Sequence, residues 1–151
     1  MANAQAMCTS FKTEILNGIH ALGTSVVRAG TGADSLKAAL YLASASLGAG
    51  TTAYSATGEV TGINYTAGGV AVTNATAPTS SGTTAYWTPS ASFTYTTVTL
   101  ATSFDCVLVY NSTQSNKAIS VHTFGAQTIT AGTFSLSMPT NDSTNALIRI
   151  A

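Results

Sequence analysis

Two cysteines, two histidines and five carboxylates are the first candidates in this 151-residue chain to shuttle protons, bind a metal or attack a substrate. Cys106 and His122 lie in successive apolar runs, FDCVLVY and AISVHTF, so a thiol–imidazole pair across a hairpin is sterically available. Such a pair needs a thiolate, and Cys106 sits where apolar neighbours disfavour one. It reads as a small buried hydrophobe. His20, apart from any acid, reads as a packing or surface histidine. Asp105, at a strand start, is expected to meet solvent or Lys117. Glu59, Asp34 and Asp142 fall in loop-like segments without the spacing of a glycosidase pair or a calcium loop. Cys8 and Cys106 are far apart and read as free thiols.

No nucleophile elbow, zinc-protease helix, phosphate-binding loop or C-x-x-C pair occurs in the chain. A metal would need three convergent ligands from this small set, and no spacing brings them together. The reading is of a protein that is not an enzyme, with no catalytic residue, no cofactor and no metal. Four N-x-S/T acceptors begin at Asn64, Asn74, Asn111 and Asn141, as expected by chance in a chain rich in Thr and Ser.

The elements that would position these groups are mostly strands. Charged residues make up only 7% of the chain and apolar ones 45%, so Thr, Ser and Gly replace the usual charge. The net charge is zero, without a Lys/Arg cluster to follow a phosphate backbone or an anionic bilayer. Nucleic acid and membrane are therefore not expected partners. No charged residue falls between Glu59 and Asp105, but Thr, Ser, Gly and Pro break that stretch before it reaches the ~20 apolar residues of a membrane helix. The opening MANAQAM carries no basic-then-apolar leader, which leads to an expectation of synthesis in the cytoplasm.

Residues 1–33 differ from the rest. Phe11, Ile15, Ile19, Leu22 and Val26 recur at three- or four-residue steps, predicting a helix near residues 10–21 with Ser10 as N-cap. Gly18 and Gly23 point to an early end, followed by a connector through Gly30 and Gly32. From Asp34 the pattern turns to short strands bounded by Gly, Asn, Pro and Ser. The fold class expected is mainly β, an antiparallel β-sandwich (jelly-roll-like) with a short N-terminal helix or arm. Residues 1–33 form the arm and connector, and 34–151 the sandwich.

LKAALYLA (36–43) reads as the first strand, and residues 58–75 as one or two more around Gly68-Gly69. A short run ends at Trp87 before Pro89. In ASFTYTTVTLA, Phe93 and Tyr95 are out of phase with Val98 and Leu100, so a bulge at Thr96-Thr97 is needed to keep all four on the core side. DCVLVY, apolar at both parities, reads as a central strand, and KAISVHTF as a more exposed neighbour. Asn111 and Asn116 supply the turn between them. GTFSLSM (132–138) and ALIRIA supply the last strands.

The segments SFKTEILNGIH, DSLKAALYL, TAYSATGEVTGINYTAGG, VYNSTQSNKA and TAGTF together resemble a family of small virion structural proteins of tailed double-stranded DNA bacteriophages, over nearly the whole chain. The resemblance implies a capsid cement, or decoration, protein on the outside of the head. Such a protein is made in the host cytoplasm, stabilises contacts between capsomers and takes the major capsid protein or other virion proteins as partners, with homo-oligomers expected. A tail, fibre or head-tail junction subunit is the alternative, then a carbohydrate-binding sandwich using Trp87, Tyr86 and Tyr95. Candidate partner contacts are Phe11, Ile15 and Ile19 on the arm, Trp87, and Asn111, Gln114 and Asn116 at the hairpin tip. Packing of Phe11, Ile15 and Ile19 on their own sandwich uses the same stripe equally well.

Overall fold

A computed structural model describes residues 2–16, 18–22 and 32–151; Val26, Gly23 and the connector through Gly30 lie outside the described residues. The chain is mainly β, with two antiparallel sheets and one short helix among the described residues. In chain order the elements are β1 (Ala6–Met7), α1 (Thr9–Leu16), β2 (Leu36–Leu42), β3 (Val70–Ala71), β4 (Thr79–Ser81), β5 (Thr84–Trp87), β6 (Phe93–Asn111), β7 (Lys117–Leu136) and β8 (Ile148–Ile150). The larger sheet runs β1-β7-β6-β2-β3 and the smaller β4-β5-β8. Trp87 and Ile148 of the smaller sheet join the same buried cluster as Leu40, Val107 and Leu108 of the larger.

The helix is shorter than its apolar stripe predicts, and its ending is specific. Gly18 adopts φ 65° and donates to Ile15 O at 2.9 Å, while Ile19 donates to Glu14 O at 3.0 Å. These paired bonds form a Schellman C-cap, whose left-handed position favours glycine. Ser10 does not cap the helix, which already begins at Thr9; its hydroxyl is buried without a partner. The arm is built into the body. β1 pairs with β7, Cys8 N–H donates to Ile119 O at 3.0 Å, and Cys8 and Phe11 are fully buried in the core.

β6 and β7 form one long hairpin that bends back on itself. Phe124 and Phe134 would stand roughly 33 Å apart on a straight strand. Their rings lie 5.2 Å apart, with Phe104 touching both. The bend coincides with register shifts on both sides of Phe104. Irregular pairing of this kind lets a strand turn a corner and serve two layers. Past the corner the ribbon returns over β2, where Tyr95 donates its hydroxyl to Ala38 O at 2.8 Å. Ala101–Ser103 and Gly125–Thr128 form the exposed outside of the bend.

The bulge expected at Thr96-Thr97 is present. The register shifts between Tyr95 and Val98, and Thr97 takes φ 53°. Phe93, Tyr95, Val98 and Leu100 all face the core. Cys106–Asn111 is buried throughout and paired on both sides, by β2 and β7. The neighbouring strand is less exposed than its alternation suggests. Ala118–Val121 is buried, because β1 covers that edge and α1 packs against the strand.

Candidate functional site

The polar residues collect in two interior clusters. In the first, Glu14 of α1 accepts from Lys117 at 2.5 Å and meets His20 Nε2 at 2.8 Å. His20 Nδ1 lies 3.0 Å from Asn111 Nδ2, which also donates to Asp34 Oδ2 at 2.7 Å. Asp34 further accepts from Ala21 N–H and from Gln114 Nε2. The C-cap at Gly18 carries His20 back beside Glu14, which corrects the expectation of a histidine far from any acid. Burial pushes the Glu14 carboxyl up, but hydrogen bonds and charge from Lys117 and His20 outweigh it and hold its pKa below the usual value.

Asn111 is the pivot of this cluster. Its Oδ1 accepts from Thr113 N–H and Gln114 N–H, both at 3.1 Å, which shapes the turn as its residue type suggests. The side chain is wholly buried and serves the chain's own loop, so it is not available to a partner. Lys117 bonds to Glu14 rather than Asp105; Asp105 accepts instead from Asn3 Nδ2 at 2.6 Å.

The second cluster surrounds Glu59. Its carboxylate accepts from Tyr54 at 2.6 Å, Tyr65 at 2.8 Å and the Gly68 N–H at 2.7 Å, with the side chain buried. Tyr65 in turn accepts from Leu40 N–H, and Tyr110 donates to Gly68 O. A lone Glu with Tyr54 five residues before and Tyr65 six after is a signal that the sequence offers and that strand patterning overlooks. With three donors on its two oxygens, the carboxylate organises the 54–69 loop through the chain's own hydrogen bonds.

The thiol and imidazole of β6 and β7 do not meet. Cys106 pairs with Thr123 and Val107 with His122, which puts the Cys106 and His122 side chains on opposite faces of the ribbon. Burial, aided by the Asp105 charge, pushes the Cys106 thiol up to about 12. Burial also lowers His122 to about 4, so its ring is neutral at pH 7, with Nε2 2.8 Å from Ser120 Oγ. Ser120 is itself almost fully buried. Among the described residues, no three or more of His, Cys, Asp and Glu converge as a metal site.

The candidate contact residues divide by exposure. Phe11 and Trp87 are interior, Phe11 in the core and Trp87 1% exposed with its indole N–H on Thr76 O at 2.8 Å. Neither presents a face to a partner, because each packs against its own sheets. Tyr95 is interior too, which leaves Tyr86 as the accessible member of the three aromatics proposed for sugar stacking. Ile15, Ile19 and Gln114 are half-buried and Asn116 is exposed. Among the described residues, no helix is long and apolar enough to cross a membrane. No protein-family model matches the chain, and no curated protein or solved structure matches it.

Proposed function

We propose that this chain is a non-enzymatic structural subunit of a virion, a cement protein that binds the capsid exterior and holds neighbouring capsomers together. The observation that carries this reading is the distribution of polar groups. Glu14, Asp34, Glu59 and His122 are turned inward and hydrogen-bonded within the chain, while the bend of the β6–β7 ribbon and the hairpin tip present uncharged Thr, Ser, Gln and Asn. A neutral, hydroxyl-rich surface suits flat packing against another protein, where unpaired charge would be costly to desolvate. An interface of about 1,600 Å², a little over half of it apolar, gives roughly 20 kcal/mol of gross apolar burial before association costs. Repeated over a shell, this stabilisation needs no chemistry from any residue.

The test is to mix the purified chain with undecorated capsids, then count and map the bound copies. Copies in the hundreds, bridging capsomers, are expected of a cement. About six or twelve copies in one ring would move the chain to the tail or head-tail junction. No binding to any part of the particle would overturn the virion reading.

A further inference from the structure

His122 borders two hollows, which also share Leu147. The first, of about 100 Å³, is apolar, with Phe93, Phe124, Leu136 and Met138 in its wall. The second, of about 420 Å³, is polar and is lined by Gln5 of the arm together with Asn145 and Arg149. An apolar space and a polar one thus meet at the same imidazole.

The groups around them specify a ligand. Among the described residues, Arg149 is the one charged side chain lining either hollow, His122 being neutral at pH 7. Its guanidinium makes a single long contact, 3.5 Å to Ser143 O, and pairs with no acid among the described residues. Asp142 lies near enough to feel the Arg149 charge, but its carboxylate is taken by Thr144 N–H, Asn145 N–H and the Asn145 amide. His122 Nε2 is 2.8 Å from Ser120 Oγ, whereas Nδ1 has no partner within the chain and is not sealed from water.

We infer that the two hollows form one binding site for a small amphipathic monocarboxylate, its alkyl end in the apolar hollow and its carboxylate on Arg149. The guanidinium fork matches a carboxylate in geometry as well as in charge. With Ser120 O–H donating to Nε2, the proton of the neutral His122 ring sits on Nδ1, a second donor where the hollows meet. One cation with Asp142 nearby suits a monoanion better than a phosphate dianion. The apolar hollow is smaller than the ~150 Å³ that admits benzene, which limits the tail to a short alkyl chain. The inference goes beyond the virion reading, since attachment to a capsid requires no small-molecule site.

Hexanoate, titrated into the purified full chain and followed by the NMR signals of the His122 ring and the Arg149 guanidinium, tests this. It should bind saturably and shift both signals. Acetate, which lacks the tail, and hexanamide, which lacks the charge, should each bind about tenfold more weakly or worse. Arg149→Gln should weaken hexanoate binding about tenfold. Met138→Phe, which fills the apolar hollow, should bring hexanoate down to the level of acetate. Arg149 is exposed and Met138 half-buried, and circular dichroism checks that both variants are folded. No saturable shift, acetate binding as tightly as hexanoate, or either folded variant binding hexanoate like the wild type would overturn the inference. A chain that decorates capsids but takes no hexanoate would sink this site alone, so the two readings can fail separately.

Discussion

Glu14 and His20 stand 2.8 Å apart across the end of α1, and the same carboxylate reaches Lys117 on β7. This contact joins the N-terminal arm to the turn end of the long hairpin. Because the Glu14 pKa is lowered below its usual 4.5 in the folded chain, the stabilisation is present above that value. It is lost as pH falls through the lower folded value. Glu14→Gln should cost about 1 kcal/mol at pH 7, a modest figure because Lys117 is 34% exposed and partly screened. Urea midpoints of the two proteins should converge once the pH has fallen through the folded Glu14 value, where both carry a neutral group. A gap that persists unchanged in acid would show that the carboxylate's charge is not what fastens the arm.

Glu59 is expected to matter more, because three donors converge on one buried carboxylate. An amide at that position cannot accept all three without turning its own N–H toward a donor. Glu59→Gln should cost about 3 kcal/mol, which lowers Tm by roughly 6–12 °C in a chain of this size. Tyr65→Phe removes one donor and should cost about 1 kcal/mol. Burial, the hydrogen bond to Glu59 and that residue's charge push the Tyr54 phenol up to about 12. Its ionisation, followed by absorbance, should therefore move down in Glu59→Gln. No movement would place the carboxylate's influence elsewhere.

Phe104 ties the two halves of the folded ribbon together. It is fully buried and packs edge-on against both Phe124 and Phe134, at 6.0 and 5.0 Å. Phe104→Ala should cost about 3–5 kcal/mol. Phe104→Leu, which keeps most of the volume, should cost less than half as much. Equal losses would mean that the corner is held by its backbone pairing rather than by the aromatic cluster. Equilibrium unfolding of both variants under the same conditions decides the matter.

The strands and the bulge were legible in the sequence because they rest on local parity. Phe93, Tyr95, Val98 and Leu100 can share a face only if one residue is inserted, and Thr97 supplies it. The burial of DCVLVY was equally plain from two apolar parities. The corner at Phe104 was not, because a bent strand and a straight one carry similar alternation; only packing distinguishes them. The two polar clusters escaped for a related reason. Glu14 meets Lys117 across 103 residues and Asp34 meets Asn111 across 77, so no spacing along the chain encodes them. Trp87 and Phe11 were ambiguous for another reason. A large aromatic near a turn and an apolar helical stripe look the same whether they serve the chain's own core or a partner.

The two cysteines offer a direct check on how tightly the core closes. Cys8 follows β1 and Cys106 lies in the centre of β6, and both are wholly buried. Burial, with a smaller contribution from Glu14, pushes the Cys8 thiol up to about 11, and Cys106 is pushed to about 12. A thiol with so high a pKa is almost entirely protonated at pH 8, and access to it requires local opening. Iodoacetamide at pH 8 should therefore leave both residues unlabelled in the native chain over the time in which a free cysteine peptide reacts completely. Denaturant should expose both together if arm and body unfold as one unit. Labelling of Cys8 well before Cys106, followed by mass spectrometry, would instead show that the arm detaches while the sheet remains closed.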